Sequence, residues 1–189
     1  MTGRGSPCKD LLTAVRRSVA AILPVDARED RSRRRILAEL DRLPRPFDEH
    51  ADPVHVTASA VVVGPRGTLL HRHRRLGIWL QPGGHVHTGE TPWDAATREV
   101  TEETGVIATH RGTTPAVVHV DVHDGGTYPG SRPGFERHTH LDLRYLLEAG
   151  DAGPAPPPGE SPMVRWFSWE QAIALADPGL VGALRLLRP

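Results

Sequence analysis

Residues 83–106 read GGHVHTGETPWDAATREVTEETGV, and the local chemistry of that stretch is a loop, a helix and a second loop. Thr91 is a good N-cap, Pro92 suits a first helical position whose N–H would be orphaned anyway, and Asp94 completes a capping box of the T-x-x-D kind. Gly105 can take the left-handed conformation that closes a helix. These signals predict a helix from Pro92 to about Thr104. On it Glu99, Glu102 and Glu103 stand at i, i+3 and i+4, so their carboxylates leave from one face, while Trp93, Ala96, Val100 and Thr104 form a neighbouring stripe suited to burial. Arg98 reaches Glu102 at i+4, but one arginine does not neutralise three glutamates. A hard divalent cation does, and clustered carboxylates with carbonyls or water are the donor set that Mg²⁺ or Mn²⁺ takes, with positions left for phosphate oxygens. A solvated acidic helix face is the plain alternative for three glutamates at this spacing; the glycines and Glu90 in register around them argue against it.

Gly84, Glu90, Arg98, Glu99, Glu102, Glu103 and Gly105, with aliphatic Val100 and Val106, fill every specified position of the box of the Nudix hydrolase family, which this chain resembles over roughly residues 52–176. The resemblance implies an α/β fold, a mixed β-sheet sandwiched between α-helices, and hydrolysis of a diphosphate linkage in a nucleoside diphosphate joined to another group. It implies Glu99, Glu102, Glu103 and the Gly83 carbonyl as metal ligands, with Mg²⁺ or Mn²⁺ as cofactor. Arg98 would orient a glutamate, and Gly84, Glu90 and Gly105 would shape the loops. Glu160, before the final strand, stands where some relatives place a further glutamate over the site. The general base is left open, because in this family it is a box glutamate or one on a distant loop.

Upstream, Leu11, Val15, Val19 and Ile22 recur at helical spacing up to Pro24, and Asp26 with Glu29 reads as a second capping box before Ile36, Leu37, Leu40 and Leu43. This predicts an N-terminal helical hairpin over residues 1–44, with the Nudix domain at 45–189 after a proline-punctuated connector. The buried stripe of the hairpin has to pack on the catalytic domain or on a second subunit, as in a homodimer. The run Arg31, Arg33, Arg34, Arg35 reads as a solvated face balanced by Glu29, Asp30 and Glu39.

Further on, VHVTASAVVV and TLLHRHR predict a hairpin around residues 64–67, and 78–81 a short strand into the box. His71 and His73 alternate onto one strand face without further ligands at zinc spacing, so a surface or groove position is expected. Strands are predicted at 115–123 and 138–147. On the latter His138, His140, Asp142 and Arg144 share one face, opposite Leu141, Leu143 and Tyr145. That polar strip is either solvent-facing or the wall of a groove for an anionic substrate. The glycine- and proline-rich loop 124–137 carries Tyr128, Arg132, Phe135 and Arg137, suited to stacking on a base and holding phosphate. A last strand, with Trp166 and Phe167 as core, and two helical segments close the chain.

The 189 residues carry 23 basic and 23 acidic side chains, so no whole-protein field recruits nucleic acid or an anionic membrane. Cys8 is the only cysteine, which excludes an internal disulfide, and no apolar run is long enough to span a membrane. A cytoplasmic location and a small nucleotide substrate, of the nucleoside triphosphate or nucleotide sugar type, are the expectations. The competing function is a non-catalytic Nudix-fold module that senses a nucleotide; an intact box argues against it.

Overall fold

The computed structural model describes residues 7–112, 115–126 and 137–189. In chain order the elements are α1 (Pro7–Ala20), α2 (Ala27–Arg42), β1 (Val54–Gly64), β2 (Gly67–Arg72), β3 (Trp79–Leu80), β4 (Gly83–His85), α3 (Pro92–Thr104), β5 (Ala108–His110), β6 (Val117–Gly126), β7 (His138–Ala149), β8 (Val164–Phe167), α4 (Trp169–Leu175) and α5 (Pro178–Leu187). All the strands form one mixed sheet around the long parallel pair β1·β7, with β2 and β4 on the far side of β1 and β6 and β5 on the far side of β7. The two short strands β4 and β5 had no clear signal in the sequence.

Alternation along β1 divides the two faces of the sheet. Val56, Ala58 and Ala60 pack with Ala95, Ala96 and Val100 of α3 and with Leu141, Leu143 and Tyr145 of β7. Val61 belongs to the other face, where Leu70, Phe167 and the helices α4 and α5 supply Ala172, Leu180, Ala183 and Leu184. Because side chains on a strand point alternately to opposite faces, His55, Thr57 and Ser59 lie on this second face. The sheet is thus sandwiched between helices, and both faces are covered.

The N-terminal hairpin is built into the same core: Val15, Val19, Ile22, Ile36, Leu40 and Leu43 are buried with the residues of the first face. Its polar residues also cover the free edge of β6. Ser18 Oγ accepts from Val117 N–H at 2.9 Å, Glu29 Oε1 from Val120 N–H at 3.1 Å, and Ser32 Oγ from Val122 N–H at 3.1 Å. An edge strand left open would present these donors to another chain. Glu29 therefore departs from the expected capping box. Asp26 does accept from Glu29 N–H, but the Glu29 carboxylate, 1 % exposed, accepts with Oε2 from Val25 N–H at 2.8 Å, one residue before the N-cap, and with Oε1 from β6. Among the described residues, no helix is long and apolar enough to cross a membrane.

Candidate active site

Helix α3 has the predicted bounds. Thr91 accepts from Asp94 N–H, and Gly105 caps the far end at φ 69°. Ala96, Val100 and Thr104 are buried and Trp93 is half-buried, as the stripe predicts, and Ala95 is buried beside them. That packing fixes the rotation of the helix and turns its acidic face toward β4 and β2.

Arg98 organises the acidic face. Its guanidinium donates to Glu90 at 2.9 and 3.1 Å, to Glu99 at 2.8 Å, to Glu102 at 2.7 Å and to the His85 carbonyl at 2.9 Å. Burial works against the charge of Arg98, yet its hydrogen bonds to the three glutamates hold its pKa above the ordinary value. Glu90 pays a desolvation cost that is outweighed by Arg98 and by the His87 N–H, so its pKa is lowered. Glu90 and Arg98 thereby fasten the loop before the helix to its middle turn.

Glu103 is in a different situation. Its Oε2 accepts from Gly83 N–H at 2.9 Å, and its Oε1 lies 3.7 Å from His71 Nδ1. Burial, together with the charges of Glu99, Glu160 and Glu102, pushes its pKa up to about 8. His71 brings no compensating charge, because burial and the neighbouring His73 push it down to about 4. Burial likewise raises Glu99 despite its contact with Arg98. The face thus holds more carboxylate than its one arginine neutralises, in a partly desolvated place, and a divalent cation fits that deficit. Glycine is required at position 83, where a Cβ would run into Ser59 and the backbone of β1, while a Cβ on Gly84 would meet only the movable carboxylate of Glu99.

Glu160, exposed on the loop between β7 and β8, is close enough for its charge to act on Glu103. The structure therefore brings Gly83, Glu99, Glu102, Glu103, Arg98 and Glu160 into one region. His71, expected at a surface or groove, is buried against this cluster. Alternation alone could not show it, because the β2·β1 register and the tilt of α3 decide which glutamate it meets.

The polar strip of β7 lies elsewhere. It is on the second face, and instead of bordering solvent or an open groove it is closed over: His138, Asp142 and Arg144 are 8 %, 3 % and 2 % exposed. Arg144 donates to Asp142 at 3.0 Å and to the Gly179 carbonyl at the start of α5, and it contacts His119 Nδ1 at 3.2 Å. Asp142 also accepts from Ser59 at 2.8 Å and Thr57 at 3.3 Å. Asp121, which Arg28 of α2 grips at 2.8 and 3.0 Å, lies 3.8 Å from Arg144. The physical reason is that β7 is a central strand with a helical layer on both faces, so its polar face has to satisfy itself internally. Tyr128, Arg132 and Phe135 lie outside the described residues; Arg137, on the loop's far stem, pairs with Asp124 at 3.2 Å.

Beside the box loop is a groove of about 750 Å³, bounded by Leu11 of α1, Pro46, Phe47 and Glu49 of the connector, and Val86 and Glu90 of the loop. No sequence signal pointed to it, since its walls come from three distant segments.

A family model described as NUDIX domain matches residues 53–187. The probable DHNTP pyrophosphohydrolase of Lactococcus lactis subsp. cremoris is 35% identical over 95 residues, which are 50% of this chain and 54% of that protein. The RNA pyrophosphohydrolase of Rhodopseudomonas palustris is 27% identical over 124 residues, 64% of this chain and 74% of that one. The match to the first of these relatives thus spans about half of its length. A NUDIX-family hydrolase from Clostridium perfringens superposes with a TM-score of 0.53 at 26% identity, over 70% of this chain and 95% of its own. With every box position filled on α3 and the segments on either side of it and the family model running the length of the sheet, the chain belongs to the NUDIX family.

Proposed function

We propose that this chain is a metal-dependent pyrophosphohydrolase that cleaves the diphosphate linkage of a nucleoside diphosphate derivative, a nucleoside triphosphate or nucleotide sugar, by attack of water on phosphorus. The observation that carries this reading is the under-neutralised face of α3, where Glu99, Glu102 and Glu103 share one arginine and Glu103 is pushed up to about 8. Glu99, Glu102, Glu103 and the Gly83 carbonyl are the groups that would hold Mg²⁺ or Mn²⁺. When bound, the cation neutralises phosphate oxygens and makes a water more acidic.

The chain's own residues do the rest. Arg98 and Glu90 keep the glutamates in place, which is a positioning role. Glu160, exposed and free of the box's hydrogen bonds, takes the proton of the attacking water. Gly83 N–H holds Glu103 in the rotamer that faces the site. The groove beside the box loop offers the nucleoside an apolar wall at Phe47, and its volume is in the usual range for a small-molecule site. Asp142 and Arg144, with their hydrogen bonds spent on one another, on β1 and on α5, act in folding rather than in substrate contact. The balanced net charge favours a small nucleotide over RNA.

The experiment is phosphate and pyrophosphate release from nucleoside triphosphates, nucleotide sugars, dinucleoside polyphosphates and 5′-triphosphate RNA, with Mg²⁺ or Mn²⁺. Glu103→Gln serves as the blank, and Glu160→Gln should lose about 10²–10⁴ in kcat, the usual worth of a positioned base. Turnover of one class above the blank supports the reading. Tight nucleotide binding with no turnover of any would replace it with a sensor.

A further inference from the structure

Four histidines converge on the sheet face opposite α3: His55 on β1, His85 on β4, and His138 and His140 on β7. Strand register puts them there. His55 is paired with His140 across the parallel ladder, and β4 lays His85 against Thr57, two residues further along β1. One ring nitrogen from each lies within 4.8 Å of all the others. The chemistry proposed for the box uses none of these side chains.

The hydrogen bonds around the cluster assign its tautomers. His55 Nδ1 is 3.1 Å from the Asp52 carbonyl oxygen. A carbonyl only accepts, so Nδ1 carries the proton and Nε2 presents a lone pair. That Nε2 is buried without a hydrogen-bond partner, in a residue 3 % exposed. His85 Nδ1 is 3.1 Å from the Glu49 carboxylate, which places its proton on Nδ1 as well. Its Nε2 then points a lone pair at His140 Nε2, 3.3 Å away. An imidazole whose outer N–H is held by a carbonyl or carboxylate is the form in which histidine binds metal.

Around a tetrahedral zinc ion with bonds of about 2.0–2.1 Å, ligand nitrogens stand about 3.3–3.4 Å apart; His85 Nε2 and His140 Nε2 have that separation at 3.3 Å, and the whole set lies within 4.8 Å, so the rings would close inward around an ion. The β6 backbone roofs the cluster at Gly125, where any side chain would run into the rings of His138 and His140.

We propose that His55, His85, His138 and His140 form a second metal centre that takes one d-block cation, Zn²⁺ by ligand type and number. It is distinct from the oxygen-lined site of the box, which suits a hard cation. The ion ties β1, β4 and β7 together. It also anchors His85, whose carbonyl accepts from Arg98 Nη2 at 2.9 Å, so the centre braces the start of the box loop.

The test uses the untagged full chain, stripped with a chelator, reloaded with zinc and passed through gel filtration. About one zinc ion per chain is expected by elemental analysis, and Co²⁺ in its place should show the intense visible absorption of a tetrahedral site. Glu103→Gln should keep both signals, which separates this centre from the box, whereas the double variant His55→Ala/His140→Ala should lose both. Glu49→Gln touches only the outer nitrogen of His85 and should weaken zinc binding by about 10–100-fold; it reads the site even if the double variant does not fold. Absence of bound zinc in the wild type, zinc retained by the double variant, or a weak octahedral Co²⁺ spectrum would overturn the proposal and leave His85 and His140 sharing a proton.

Discussion

Gly84 stands where a methyl group would meet the carboxylate of Glu99. The obstacle is the tip of a flexible side chain, so Gly84→Ala should fold normally while displacing Glu99 from its place beside Arg98. Misplacements of about 1 Å near reacting groups cost up to about 10²-fold. We expect kcat to fall by about that factor with an unchanged thermal midpoint, and a fully active variant would show that Glu99 need not sit where it does. Asp142 is the opposite case, a charged residue that matters for folding. Asp142→Ala strips Arg144 of its carboxylate at 3.0 Å in a place where both are almost fully buried. Breaking a buried pair from one side costs about 3–5 kcal/mol. Urea denaturation should show a loss of that size, and a loss under 1 kcal/mol would mean that Asp121 takes over as the partner.

At the scale of elements, the helical hairpin does two jobs for the sheet. Its apolar stripe completes the first face of the core, and Ser18, Glu29 and Ser32 accept from the outward N–H groups of β6. Three uncovered donors would each cost about 1–3 kcal/mol if left buried, or would invite pairing with another chain if exposed. Deletion of residues 1–43 should therefore give a protein that aggregates on gel filtration and loses its cooperative urea transition. A monomeric, cooperatively folded remainder would show that the hairpin is dispensable. Helix α3 is held differently, by local signals at each end: the Thr91 cap and the left-handed Gly105, where a Cβ would also strike the Ala155 carbonyl.

Across the whole molecule the buried histidines set the response to acid. His71 and His85 are pushed down to about 4 and His119 to about 3, chiefly by burial. Each takes up its proton near 6.5 in the unfolded chain, so the unfolded state binds protons first as the pH falls. Stability from these groups is complete above 6.5 and is lost progressively toward 4, at about 1.4 kcal/mol per pH unit for each histidine. Glu103, raised to about 8, acts with the opposite sign and favours the fold as pH drops from 8 toward 4.5. Three histidines outweigh one glutamate between 6.5 and 4.5, so the metal-free protein should weaken on acidification through that range. Urea midpoints at pH 6.5, 5.5 and 4.5 check this, and His119→Gln should flatten the limb by one histidine's share. An unchanged slope in that variant would show that His119 is already protonated in the folded state.

While the mixed sheet between helices was what the family resemblance implied, the sequence by itself determined the box helix to the residue, the acidic face, the hairpin's buried stripes and the longer strands. Those features rest on interactions within about four residues, such as caps, i+4 pairs and strand alternation, which a linear reading carries. Only the tertiary structure decided what depends on register and layering. That Glu29 bridges the start of its own helix to the edge of β6, that the strip on β7 is interior, and that His71 faces Glu103 all follow from which strand lies beside which. The four histidines, spread over residues 55–140, became one cluster through the β4·β1·β7 register. A pairing shift of one residue would have turned each of them to the other face.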